Sequence, residues 1–169
     1  MSSLIASVMN DWERQLRESL PLYGHRNWIV IADAAYPAQS KPAIETVLAP
    51  GNQIAVVRKA LTAIRIYRHI RARVYTDKEL RFLAESDAPG VTAYRQQLDA
   101  LFQDFSRSEI LHEQIIARLD QSARLFRILI IKTEMTIPYT SIFFELECGY
   151  SSAEAEERLR LAMQVSEIS

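Results

Sequence analysis

Cysteine occurs once in the 169 residues, at Cys148, so an internal disulfide is excluded and no CxxC redox or zinc motif can be built. Glycine is scarce, with four in the chain, and neither a Walker A loop nor a GxGxxG turn is present to cradle a phosphate. The three histidines show no HExxH or other paired spacing, which removes the usual signatures of a metal centre. There is no GxSxG nucleophile elbow. No apolar run approaches the length that crosses a bilayer. The first twenty residues, "MSSLIASVMNDWERQLRESL", lack the basic and apolar regions of a signal peptide. Neither sign of charge dominates: 20 basic and 21 acidic side chains leave a net charge of −1, with Arg interleaved among Glu and Asp. Such a balance gives no electrostatic footing for nucleic acid or an anionic membrane. The expectation is a cytoplasmic, single-domain chain over 1–169, of which 151–169 is a helical extension.

What is present is a regular alternation of helical and extended patterns. Leu4, Val8, Trp12, Leu16 and Leu20 recur every four residues and stop at Pro21, one face of an amphipathic helix. "WIVIA" (28–32) is a continuous apolar run, as expected of a strand buried on both faces of a parallel sheet. Residues 34–53 carry Pro37, Pro42, Pro50 and Gly51 and read as a long loop. Ile54, Val57, Leu61 and Ile64 make a second helical face, and "IRARVYT" (70–76) alternates like a strand. Thr76 with Glu79, Ser106 with Glu109, and Ser151 with Glu154 have capping-box spacing, which predicts three helix starts. Between the first two, Tyr94, Leu98, Leu101 and Phe102 form another helical stripe. "FRILIIKT" (126–133) and "TSIFFELEC" (140–148) read as strands, too close in sequence for a parallel crossover and therefore as antiparallel neighbours. In the second of these, Cys148 shares the apolar face and is expected to be a buried thiol. The fold class is α/β: a mostly parallel sheet flanked by helices, with an antiparallel C-terminal strand.

In such a sheet, ligands collect beyond the carboxyl ends of the strands. Asp33 follows strand 28–32, Lys132 ends strand 126–131, and an antiparallel return would bring Tyr139 and Ser141 to the same edge. An Asp, a Lys, a Tyr and a Ser on one rim suit a polyhydroxylated ligand. Each also has a plainer reading: Asp33 as a turn cap, Lys132 as a solvated strand end, Tyr139 as a turn aromatic, Ser141 as a strand-edge serine. His25, released by Gly24 at the mouth of the first strand, titrates near neutrality when unperturbed and suits proton transfer. His69 reads as structural, and His112 lies early in a helix.

"GHRNWIVIADAAYPAQS" (24–40) resembles the N-terminal motif of the D-ribose pyranase / L-fucose mutarotase family, a Gly-His pair before a buried strand that ends in Asp. Tyr36-Pro37-Ala38 with Ser40 resembles its fucose branch. "IIKTEMTIPYTSIFFELECGY" (130–150) resembles the C-terminal motif, with Glu134, Met135 and Ser141 standing where that motif has Gly, Glu and Asn. The resemblance implies a cofactor-free isomerase acting on a free monosaccharide such as ribose or fucose. His25 would be the proton donor, Asp33, Tyr139 and Ser141 the sugar contacts, and His112 a further site histidine. It also implies a homo-oligomer, a pentameric or decameric ring with sites at subunit contacts. That implication answers a geometric difficulty, because a straight strand would hold His25 and Asp33 about 25 Å apart. A sugar-binding or sensing module without turnover, and a partner-binding protein using its helices, are the alternatives.

Overall fold

The computed structural model describes residues 9–167, so Leu4 and Val8 of the first helical stripe lie outside the described residues. The order is α1 (Asp11–Ser19), β1 (Trp28–Ala32), β2 (Ile44–Leu48), α2 (Gln53–Ile66), β3 (Ile70–Asp77), a 3₁₀ turn (Lys78–Phe82), α3 (Val91–Leu101), β4 (Arg107–Ile110), α4 (His112–Ser122), β5 (Ile128–Lys132), β6 (Ile142–Cys148) and α5 (Ala153–Ser166). The strands form one six-stranded sheet in the order β2-β5-β1-β6-β3-β4. β6 alone runs against the others: it is antiparallel to both β1 and β3, while β1–β5, β2–β5 and β3–β4 are parallel. The expected mostly parallel α/β sheet with an antiparallel final strand is the fold observed.

Strand β1 is continuous in its hydrophobicity because both of its faces are covered. Ile29 and Ile31 pack into the larger core with Trp12, Leu16, Val57 and Leu61 of α1 and α2. Trp28, Val30 and Ala32 face the smaller core, where Ile115 and Leu119 of α4 lie. β6 is likewise double-sided, with Phe143 and Phe144 both fully buried on opposite faces. At roughly 1.5–3 kcal/mol for each large apolar side chain removed from water, these central strands dominate the driving force.

Four expectations are corrected. First, the stretch 34–53 is not loop throughout, because Ile44–Leu48 pairs with β5 as an edge strand. Its prolines sit outside the strand at 42 and 50, and edge exposure, 74% for Leu48, hides the burial pattern. Second, Arg107–Ile110 is the opposite edge strand rather than a helix start, and Glu109 pairs with Arg81 and Arg107 instead of capping. Thr76 is likewise inside β3, with only a 3₁₀ turn behind it, and the last helix is capped by Ser152, not Ser151. Third, β5 and β6 are not neighbours, since β1 lies between them. Fourth, Cys148 is half-buried at the end of β6.

The third correction matters most for function. To reach its place beside β3, the chain after β5 must pass over the carboxyl end of β1. It is fastened there as it crosses: Thr133 N–H donates to the Ala32 carbonyl (2.8 Å), and Ala34 N–H donates to the Met135 carbonyl (2.8 Å).

Candidate functional site

The crossing segment 133–141 forms one wall of a cavity of about 450 Å³ at the carboxyl edge of the sheet. The opposite walls are the chain after β1, from Asp33 to Pro37, and His112 at the start of α4. Its surface is mainly apolar, with polar groups from Asp33, Tyr36, His112, Thr136 and Tyr139, the usual make-up of a small-molecule site.

Asp33 is held in a fixed pose. Its Oδ1 accepts the Ala35 N–H (3.0 Å), and its Oδ2 accepts the Ser141 hydroxyl (2.9 Å). Ser141 Oγ in turn accepts the Asp33 N–H (3.1 Å). Ser141 is buried and does not line the cavity, so its hydroxyl orients Asp33. Asp33 thus both caps its turn and lines the cavity at the carboxyl edge.

Tyr139 follows Pro138 with a backbone φ of 59°, a left-handed conformation that non-glycine residues adopt only when their surroundings impose it. The hydroxyl of Thr140 donates to the Ile137 carbonyl (2.7 Å) and closes that turn. The Tyr139 ring meets His112 edge-on, with centroids 5.7 Å apart and planes at 82°.

His112 is fixed from two sides. Its N–H, an unsatisfied donor at the first turn of α4, donates to both carboxylate oxygens of Glu79 (3.1 Å each). The Glu79 charge is also well placed against the positive end of that helix. Its ring Nδ1 lies 3.0 Å from Oδ2 of Asp77, the last residue of β3. Asp77 is 2% exposed, and its other oxygen, Oδ1, is buried without a partner. Burial pushes the Asp77 carboxyl up to about 6, against the opposing pull of His112. Tyr36, also buried, feels both Asp77 and Asp33, and burial first and these charges second push its phenol up to about 12.

Beneath the cavity lies a closed polar network. Gln53, at the start of α2 and 1% exposed, donates through Nε2 to the Thr140 carbonyl (2.6 Å) and to the Tyr94 hydroxyl (2.8 Å). Its Oε1 accepts the Thr133 hydroxyl (2.6 Å). Both ends of the crossing segment are thus tied to one buried amide.

The remaining expected residues fall elsewhere. Lys132 is half-buried on the same rim but does not line the cavity, and alternation along β5 turns it toward the α4 side. His25 is exposed at the amino end of β1, the opposite edge of the sheet. Within one chain the structure thus brings together Asp33, Tyr139 and His112, with Ser141 behind Asp33, and leaves His25 apart. His69 uses Nε2 on the carbonyls of Leu20 and Tyr23 and is structural. Asp77, Glu79, Tyr36 and Gln53 went unread as site residues. Only Tyr36 carried a sequence signal, its place in the Tyr-Pro-Ala bend. Among the described residues, no three His, Cys, Asp or Glu side chains gather closely enough to hold a metal ion, and no helix is long and apolar enough to cross a membrane.

A mostly parallel sheet with a mostly apolar pocket at its carboxyl edge, where β1 parts β5 from β6, is the architecture of an open-sheet α/β protein, the class in which small-molecule sites are commonly placed at such an edge. The model of the RbsD / FucU transport protein family matches residues 12–149, and the chain belongs to that family. Helix α5, with no buried residue, lies beyond the matched stretch. Among solved structures, RbsD of Bacillus subtilis in complex with D-ribose is 17% identical, with a TM-score of 0.57, covering 83% of this chain and 94% of that one. The fucose mutarotase of Streptococcus pneumoniae in complex with L-fucose is 19% identical, with a TM-score of 0.49 over 82% of this chain and 93% of that one. No curated protein sequence matches the chain.

Proposed function

We propose that the protein is a monosaccharide mutarotase or pyranase, an isomerase that interconverts the anomers or ring forms of a free sugar in the cytoplasm without a cofactor. The observation that carries this reading is the convergence of Asp33, His112 and Tyr139 on one cavity in a member of this family. The bound D-ribose of the Bacillus subtilis relative supports a monosaccharide as the ligand. Asp33 and His112 supply hydrogen bonds to hydroxyls, and Tyr139 supplies a ring face and a hydroxyl. Ser141 acts through Asp33, and Lys132 contributes positive charge to the rim. The reaction needs a donor for the ring oxygen and an acceptor for the anomeric proton, and imidazole serves either role near neutral pH.

His25 takes the donor role from a second copy, because within its own chain it stands at the far edge of β1. The assembly is then a homo-oligomeric ring whose sites are completed between copies. Saturation-transfer NMR on a panel of free sugars that includes ribose and fucose tests the activity. Absence of any rate above buffer sinks it. Mixing His25→Ala protein with His112→Ala protein tests the sharing. Two inactive variants that regain activity on refolding together support completed sites, and a mixture as inactive as its parts refutes them.

A second reading, sugar binding without turnover, is favoured by one observation. Ser141 and Glu134 stand where the family motif has Asn and Gly, and both are engaged internally: Ser141 with Asp33, and Glu134 with the Gly51 N–H (3.2 Å). Calorimetric sugar binding with no exchange by NMR would decide for it.

A further inference from the structure

We propose that Asp77 is a positioning residue that keeps the proton of neutral His112 on Nδ1, so that His112 Nε2 offers its lone pair to the cavity and accepts the proton of the anomeric hydroxyl. The inference deepens the mutarotase reading and rests on it for the identity of the substrate.

The geometry supplies every element such a pair requires. A histidine with one nitrogen bonded to a carboxylate has its tautomer fixed by that bond. Asp77 Oδ2 lies 3.0 Å from Nδ1, and among the described residues His112 is the only hydrogen-bond partner of that carboxyl group. Nε2 has no hydrogen-bond partner among the described residues, and the ring lines the cavity. The histidine backbone is clamped by Glu79 and its ring is braced edge-on by Tyr139, so neither end of the imidazole is free to wander. The groups facing Asp77 are His112 from α4, Glu79 from the 3₁₀ turn, and Asp33 and Tyr36 from the chain after β1. Three neighbouring arginines are engaged elsewhere: Arg95 donates to the carbonyls of Leu80 and Leu83, Arg81 pairs with Glu109, and Arg107 pairs with Asp99. Among the described residues His112 is the one cation whose charge bears on Asp77, so burying this carboxylate at the end of β3 is costly for the fold.

The step balances without any other reactant. Nε2 of His112 takes the proton of the anomeric hydroxyl, and the electron pair of that O–H bond becomes the second bond of the aldehyde. The bond from the anomeric carbon to the ring oxygen breaks, and its pair goes to the ring oxygen, which takes a proton from His25 of the second copy. Rotation of the aldehyde followed by the reverse sequence yields the other anomer, and both histidines recover their starting states. His25 and His112–Asp77 thus divide the donor and acceptor roles that one imidazole could not fill at once.

Nitrogen-15 NMR of the imidazole of His112 in the intact protein, without substitution, is the first test. A protonated Nδ1 and an unprotonated Nε2 at about pH 7.5 is the result expected, and protonation on Nε2 in the neutral ring overturns the proposal. The second test is Asp77→Asn, whose amide can turn its NH₂ toward Nδ1 and invert the tautomer while keeping the shape. By analogy with the loss seen when an orienting aspartate is replaced by asparagine elsewhere, sugar exchange should fall about 10²- to 10⁴-fold. KM should change little, and in the wild-type protein the rate should fall as pH drops through about 6, where Asp77 takes up its proton. Asp77→Glu, which keeps the charge, should restore part of the rate. An Asp77→Asn protein with full exchange and an unchanged tautomer refutes the role. A wild-type protein with the expected tautomer but no exchange of any sugar sinks the mutarotase reading instead and upholds the positioning of His112 by Asp77.

Discussion

Replacing Thr133 by Val removes one hydroxyl from beneath the cavity and leaves the shape almost unchanged. The loss orphans two groups. Gln53 Oε1, in a residue 1% exposed, has the Thr133 hydroxyl as its donor, and the half-buried Met135 N–H donates to Thr133 Oγ1 (3.3 Å). A buried polar group left without a partner costs about 1–3 kcal/mol, and the half-buried Met135 N–H adds about 1, so the pair costs about 2–4 kcal/mol. Replacing Gln53 by Met deletes three hydrogen bonds yet orphans nothing. The Tyr94 hydroxyl still donates to the Thr140 carbonyl (2.6 Å), and the Thr133 hydroxyl still has the Ala32 carbonyl at 3.0 Å. With volume conserved, that change costs about 1 kcal/mol. The smaller deletion is therefore the more damaging one. Urea unfolding at one protein concentration, with the slope unchanged, reads the difference as a shift in midpoint. In a thermal scan, Thr133→Val should melt about 4–16 °C below wild type, at about 2–4 °C for each kcal/mol in a chain of this size. Gln53→Met proving more destabilising than Thr133→Val would refute the reasoning, because it would mean that the number of bonds, not the orphaned groups, sets the cost.

Asp77 imposes a pH dependence whose sign follows from its burial. Its folded value of about 6 lies above its ordinary value of 3.8, so between these the native state holds more protons than the unfolded one and stability falls as pH rises. From about pH 4 to about pH 7 wild type should lose about 2–3 kcal/mol relative to Asp77→Asn. Chemical denaturation at both pH values checks this, and an equal gap at the two is the failing result. Gly149→Ala should destabilise by about 1–3 kcal/mol, because an added Cβ would meet the Arg68 carbonyl oxygen at 2.3 Å and Ile70 N at 2.8 Å, both backbone atoms of the chain entering β3. A melting temperature equal to wild type would contradict it. Ser141→Ala frees one carboxylate oxygen of Asp33 and leaves the Asp33 N–H without its acceptor, so calorimetry should show sugar affinity weakened about tenfold, with about 1–2 kcal/mol lost in urea. Unaltered affinity would mean that Asp33 does not hold the sugar.

The central strands were legible because burial on both faces leaves no room for polar residues: 28–32 and 128–131 announce themselves by composition alone. The edge strands were not. Ile44–Leu48 and Arg107–Ile110 have one side against solvent, and Glu45, Thr46 and Arg107 carry the polarity of a loop. The rim was legible in part, since strand direction places Asp33, Tyr139 and Ser141 at one edge whatever their side chains do. The pair His112–Asp77 was not, because a buried acid closing an alternating strand looks like any other polar strand end. Its burial depends on β4 and α4 arriving beside it, a contact no local pattern encodes.

β5 and β6 are almost adjacent in sequence, yet a strand made some hundred residues earlier is wedged between them. They cannot close as a hairpin and wait for the rest. The segment that walls the cavity can take its course only over a β1 already docked, or docking at the same moment. A chain that has made only its local contacts, on the ribosome or early in refolding, therefore has no cavity at all. Ligand binding should emerge in the slowest step of folding, together with the last native contacts and not before them.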